Sequence, residues 1–138
     1  MKKNRKEIAE ETLAIIEKGE YRNNMNEIVS IKKETEEAIE NSKLFRSEDF
    51  PSEFDLAKIK GETKIELTDE TTLEAAKRVC QEDKNANPFV LNFASAKNPG
   101  GGFLGGAQAQ EESLARSSSL YPCLTKHQEM YKYNRGRR

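Results

Sequence analysis

What the chain lacks narrows its function first. No apolar run approaches the ~20 residues that a membrane-spanning helix requires. Positive charge is not in excess: 23 Lys and Arg face 24 Asp and Glu, a net charge of −1. That balance excludes a polybasic arm, whose affinity for nucleic acid would rest on neutralising phosphates. Cysteine is scarce. Cys80 and Cys123 are too few and too far apart for a disulfide framework or a Cys-x-x-Cys metal site, and they read as reduced, small apolar residues. His127 is the only histidine, and it reads as a surface residue rather than a ligand. The start is basic, like a signal n-region, but Glu7, Glu10 and Glu11 come directly after it and no apolar stretch succeeds them. The expected location is therefore cytoplasmic. Apolar residues make up only 35% of the 138 and charged residues 34%. The length suits about one domain, with a thin core for its size.

Charge is unevenly placed. After residue 88, seven bases stand against three acids; before it, 16 stand against 21. No carboxylate occurs between Asp83 and Glu111, and that interval holds five of the eight glycines. A backbone-rich loop free of carboxylates suits an anionic ligand, because like charges nearby would repel it. A buried strand followed by a turn would also lack acids.

Hydrophobic spacing predicts a helix over 5–18, with Ile8, Thr12, Leu13, Ile15 and Ile16 on one face and Gly19 as its C-terminal cap. Ile28, Val29 and Ile31 indicate a short strand. A charged helix over 33–43 follows, with Ala38 and Ile39 inward, and then an irregular connection from Leu44 to Gly61. Residues 64–67 alternate as a strand does. Thr71 and Glu74 form a capping-box match ahead of a helix over 72–82, with Leu73, Ala76 and Val79 as its buried stripe. Asn85 to Pro88 break that helix. Phe89 to Phe93 are a short apolar run between breakers and read as a strand. A glycine loop follows, then a helix over 107–120. This order predicts an α/β protein with a parallel sheet. For the last stretch, Tyr131 to Arg138, no stop signal is evident.

Gly100-Gly101-Gly102-Phe103-Leu104-Gly105 satisfies G-x-G-x-x-G. The dinucleotide fingerprint also needs an acidic residue about 20 positions on, at the end of a second strand. Thr125 and Lys126 stand near that distance, in a segment without strand character. A P-loop is excluded because no Gly-Lys-Ser/Thr follows. The general physics survives: successive glycines let backbone N–H groups close on a phosphate, and the next helix adds its positive end.

Gln110-Glu111-Glu112 comes next. Acids near a helix N-terminus complement its dipole. Acid catalysis is the other reading. Adjacent helical residues face different ways, so the two carboxylates would have different jobs. A general acid there must keep a proton that the dipole disfavours, while a bound diphosphate and burial would favour it. The donor would then be poised only with substrate present. Residue physics leaves both readings open.

The motif Gly100-Gly101-Gly102, seven residues, then Gln110-Glu111-Glu112 resembles the signature of poly(ADP-ribose) glycohydrolases. The flanking VLNFASAKNPGGG (90–102) and AQAQEESLARSS (107–118) resemble the microbial type, and the likeness is dense over about 88–125. It implies an α/β fold with a macrodomain-like mixed sheet flanked by helices, binding ADP-ribose in a cleft. The implied reaction is hydrolysis of ribose–ribose O-glycosidic bonds in poly(ADP-ribose), releasing ADP-ribose. By the same resemblance Glu112 is the general acid and Glu111 orients the linkage through ribose hydroxyls. Gly100, Gly101 and Gly102 present amides to the diphosphate, Asn98 fixes the distal ribose, and Gln110 supports the acid loop. The expected substrate is the polymer or ADP-ribosylated protein. No metal, cofactor, direct DNA binding or membrane binding is implied.

The family domain continues past the glutamate helix with strands that have no counterpart here. The fold is thus expected to be incomplete on its C-terminal side, with 1–62 an N-terminal helical accessory region and 63–138 the first part of the catalytic domain. Alternatives to an active enzyme are a non-catalytic ADP-ribose-binding module and an inactive fragment.

Overall fold

Helix α1 (Arg5–Lys18) starts where the sequence supplies a reciprocal cap. The Glu7 amide donates to the Asn4 side chain, and the Asn4 amide donates to the Glu7 carboxylate. It ends at Gly19, whose left-handed φ of 75° lets its N–H reach the Ile15 carbonyl. Both ends agree with the periodicity. The computed structural model describes residues 3–51 and 61–137; the part of the expected 44–61 connection over 52–60 lies outside them.

Contacts divide the chain into two compact units: Met1–Lys43 with Leu91–Arg138, and Leu44–Val90. This differs from the expected boundary between 62 and 63. Within the first unit, α1 packs directly on the glycine loop and the glutamate helix.

In the first unit, β1 (Glu20–Arg22) and β2 (Ile28–Ser30) form an antiparallel hairpin with Tyr21 opposite Val29. Helix α2 (Lys32–Asn41) follows. Its buried residue is Thr35, while the expected Ala38 is exposed. No basic residue stands in its last turn; Lys126 supplies the charge, donating from Nζ to the carbonyls of Ile39 (2.7 Å) and Glu40 (2.9 Å). The expected helix over 107–120 is two helices, α4 (Gln110–Ser117) and α5 (Leu120–Thr125). The hydroxyl of Ser118 bonds the Leu114 carbonyl and accepts the Leu120 amide, which serves the broken ends. A further helix, α6 (Gln128–Gly136), runs into the last stretch, for which no stop signal was evident.

The core of this unit is small: Ala9 from α1, Phe103 from the loop and Ala115 from α4, with Leu13 and Tyr121 against them. The rings of Phe103 and Tyr121 meet at 4.8 Å between centroids. The Thr12 hydroxyl is shared between the Ile8 carbonyl (2.9 Å) and the Arg116 carbonyl (2.8 Å), tying α1 to α4.

In the second unit, α3 (Thr72–Glu82) has the expected bounds and the expected capping box of Thr71 and Glu74. Its expected stripe is not buried: Leu73 is exposed, and Ala76 and Val79 are half-covered. Arg78 forks onto Glu70, with Nε 3.0 Å from both carboxylate oxygens.

The expected strands over 64–67 and 89–93 have no ladder and no regular secondary structure. Ile65, Leu67 and Phe89 are each more than 90% exposed. Among the described residues the sheet has two antiparallel strands and is not parallel. A strand needs a neighbouring backbone. The Phe93 amide and the Leu91 carbonyl instead bond one side chain, that of Gln110. No helix among the described residues is long and apolar enough to cross a membrane.

Candidate active site

The glycine loop and the N-terminus of α4 form one hydrogen-bonded body. The Asn98 carbonyl accepts the Gly101 amide at 3.0 Å, and the Gly100 carbonyl accepts the Phe103 amide at 3.2 Å. These turns need left-handed backbone: φ is 70° at Gly100 and 58° at Gly101. Space demands glycine at 101 as well. A Cβ there would strike the Glu112 carboxylate, and one at Gly100 would meet the ring of Phe103 at 2.9 Å. The loop is therefore built around the acid side chain.

Glu112 points at the tri-glycine turn. Its Oε1 accepts the Gly102 amide at 3.0 Å. That bond, foremost, holds its pKa below the ordinary carboxylate value; its own amide adds to the effect, burial opposes it, and Arg116 assists. In the ligand-free chain Glu112 is an anion at neutral pH.

Glu111, the residue before it on α4, brings its carboxylate to the same loop at Gly100. It is 2% exposed. One carboxylate oxygen accepts the Ser95 amide at 2.7 Å and the other accepts the Gly100 amide at 3.2 Å. Both oxygens thus bond the loop, and each keeps a second lone pair. Gln110, expected to support the acid loop, bridges the Leu91 carbonyl and the Phe93 amide. Asn98 lies exposed in the loop, its amide donating to Ser95 Oγ at 3.1 Å.

The amides expected to be open to a diphosphate are engaged. Those of Gly100, Gly101 and Gly102 donate to Glu111, the Asn98 carbonyl and Glu112 respectively. An anion reaches them only by exchange with these acceptors. Arg116, buried below, donates to the Ala107 carbonyl (2.7 Å) and to the Gln108 side chain (3.1 Å), and so fixes the segment joining the loop to α4.

Several residues near this body escape sequence reasoning. Tyr131 on α6 is fully buried and its hydroxyl has no partner among the described residues. The side-chain oxygen of Asn92 is likewise buried and unpaired. Asn134 and Arg135 bond the loop carbonyls of Ala96 and Lys97. The i, i+3, i+4 spacing of Tyr131, Asn134 and Arg135 is the one sequence signal that would have grouped them. His127 is partly buried against Ser42, with Nε2 2.9 Å from its hydroxyl. No group of His, Cys, Asp or Glu suited to a metal ion occurs among the described residues.

The sequence profile of the family described as "Microbial-type PARG, catalytic domain" matches residues 9–138. Three crystal structures of poly(ADP-ribose) glycohydrolase from Thermomonospora curvata are similar to this chain. The one bound to the inhibitor ADP-HPD is 43% identical, covers 97% of this chain with 48% of its own, and has a TM-score of 0.81. A second, without a named inhibitor, is 40% identical over 96% of this chain and 49% of its own, with a TM-score of 0.82. A glutamate-to-alanine mutant is 42% identical over 96% and 47%, with a TM-score of 0.80. The chain spans about half the length of these solved relatives and shares their macrodomain-like α/β fold over that half. No functionally curated protein matches it significantly.

Proposed function

The chain belongs to the microbial-type poly(ADP-ribose) glycohydrolase catalytic-domain family, and from that membership we propose that its glycine loop and Glu112 serve the hydrolysis of ribose–ribose O-glycosidic bonds in poly(ADP-ribose). The observation that carries this reading is the 3.0 Å bond between Glu112 Oε1 and the Gly102 amide. It sets the Glu112 carboxylate against the glycine loop that forms the other half of the family motif.

In the proposed reaction the bond between the anomeric carbon and the bridging oxygen breaks as Glu112 gives that oxygen its proton. The sugar left behind has oxocarbenium character. Water adds to the anomeric carbon and loses its proton to the Glu112 carboxylate, leaving ADP-ribose, a shortened polymer and a restored acid. Glu112 must be protonated to begin, whereas the Gly102 amide keeps it ionised when the site is empty. The substrate diphosphate supplies the missing push. It competes for the loop amides, and its negative charge raises the acid's pKa. Glu111 acts on this reading by holding the Ser95–Gly100 loop, and Asn98, exposed at its surface, faces the distal ribose.

The test is Glu112→Gln, assayed for release of ADP-ribose from the polymer and for ADP-ribose affinity by calorimetry. The proposal expects turnover to fall by at least about 10²-fold, the scale of a general acid's contribution, with affinity kept. Unchanged turnover would remove Glu112 from the role. One observation favours a second reading, a binding module: both glutamates accept loop amides, a duty a non-catalytic site would also give them. That reading expects ADP-ribose binding without release of product by the unaltered chain.

A further inference from the structure

Helix α6 lies against the loop on which the acid site is built, and the proposed reaction gives it no task. Three residues on one of its faces reach that loop or its support. Tyr131 is fully buried, and the charge of Glu111 adds to burial in raising its pKa. Asn134 donates from Nδ2 to the Ala96 carbonyl at 2.9 Å. Arg135 donates from Nη1 to the Lys97 carbonyl at 2.6 Å, a short, charge-assisted bond. On the inner side, Glu111 takes the amides of Ser95 and Gly100. Within the turn, the Lys97 and Asn98 amides close on Ser95 Oγ at 3.4 and 3.1 Å. The turn is thus gripped from two directions: α4 holds amides and α6 holds carbonyls.

We propose that Asn134 and Arg135 are positioning residues, which fix the 95–98 turn so that Gly100–Gly102 and the Glu112 carboxylate stand in place before a ligand arrives. The inference rests on the function proposed above and deepens it. The Asn98 carbonyl accepts the Gly101 amide, so a shift of the turn is passed straight into the glycine loop. Neither residue touches substrate on this account. They act through main-chain carbonyls that no side-chain change in the turn itself would remove.

The experiment compares the unaltered chain, the double variant Asn134→Asp/Arg135→Gln, and Arg135→Lys alone. Amide hydrogen exchange is followed in ligand-free protein, and ADP-ribose binding is followed by calorimetry. In the double variant, exchange at 98–102 is expected to quicken and the ADP-ribose dissociation constant to rise, each by roughly tenfold for two lost hydrogen bonds. Exchange within α1 is expected to stay as it was. Arg135→Lys keeps a cationic donor and is expected to retain affinity within about threefold. Equal affinity in the double variant would overturn the proposal, even with a looser loop. Equal loss of protection in α1 would also overturn it, because general unfolding would then be the cause. An unaltered chain that leaves ADP-ribose unbound would count against the proposed function instead. Unchanged loop exchange in the double variant would still, by itself, refute the grip of α6.

Discussion

Glu112 and Gly102 are joined through a carboxylate oxygen and a main-chain amide 3.0 Å apart, ten residues away in sequence. The bond makes the proposed acid part of the loop that would greet its substrate. It also sets the charge of that acid in the empty site, since a carboxylate that accepts an amide holds its proton less tightly.

The first prediction concerns pH and stability. The folded pKa of Glu112 lies below its ordinary value of 4.5. Its contribution to stability is therefore fully present above the unfolded pKa and is lost as pH falls through the folded one. Chemical denaturation of the unaltered chain and of Glu112→Gln should converge as the pH drops below about 4. A gap that stays constant from pH 7 to pH 3 would contradict the assignment.

Gly101→Ala should destabilise the fold by at least about 1–2 kcal/mol, the cost of left-handed backbone for a residue with a Cβ. The new methyl group also strikes Glu112. Gly105→Ala is the control, because a Cβ there meets nothing within 4 Å. Urea midpoints distinguish the two; equal midpoints would mean that the loop does not close on the carboxylate.

Glu111→Gln replaces an acceptor of two amides by a group with one acceptor oxygen and an unwanted donor. A loss of about 1–3 kcal/mol is expected for the buried amide left unpaired. Amide exchange at Ser95 and Gly100 should quicken before that of α1. Protection unchanged at both amides would show that the carboxylate does not hold the loop.

Leu91 and Phe93 flank Asn92 outside any strand and are exposed. Exposed apolar side chains on chain without a backbone partner favour association. The double substitution Leu91→Lys/Phe93→Lys should lower light scattering at a given concentration and leave the α1 exchange pattern intact. Scattering that does not change would place the sticky surface elsewhere.

The elements legible in the sequence are those decided locally. Thr71 and Glu74 lie one helical turn apart, so the start of α3 could be read directly, and Gly19 marked the end of α1. The family motif is also local, and its Glu111 and Glu112 meet the glycine loop. The features that escaped depend on distant partners. Phe89 to Phe93 have the composition of a strand, but pairing is not a property of one segment, and Gln110 takes the place of a neighbour. Glu111 could not be recognised as a loop anchor, because its acceptor duties are set by amides 11 and 16 residues earlier. The grip of Asn134 and Arg135 spans 38 residues and targets main-chain carbonyls, which leave no trace in side-chain identity.

The central claim is that substrate turns an ionised Glu112 into a proton donor. Carbon-detected NMR of the Glu112 side-chain carboxyl, titrated with pH in the absence and presence of saturating ADP-ribose, reads it directly. The account predicts a titration below the ordinary carboxylate range in the free chain and a clear upward displacement with ligand bound. Identical curves in the two states would contradict it.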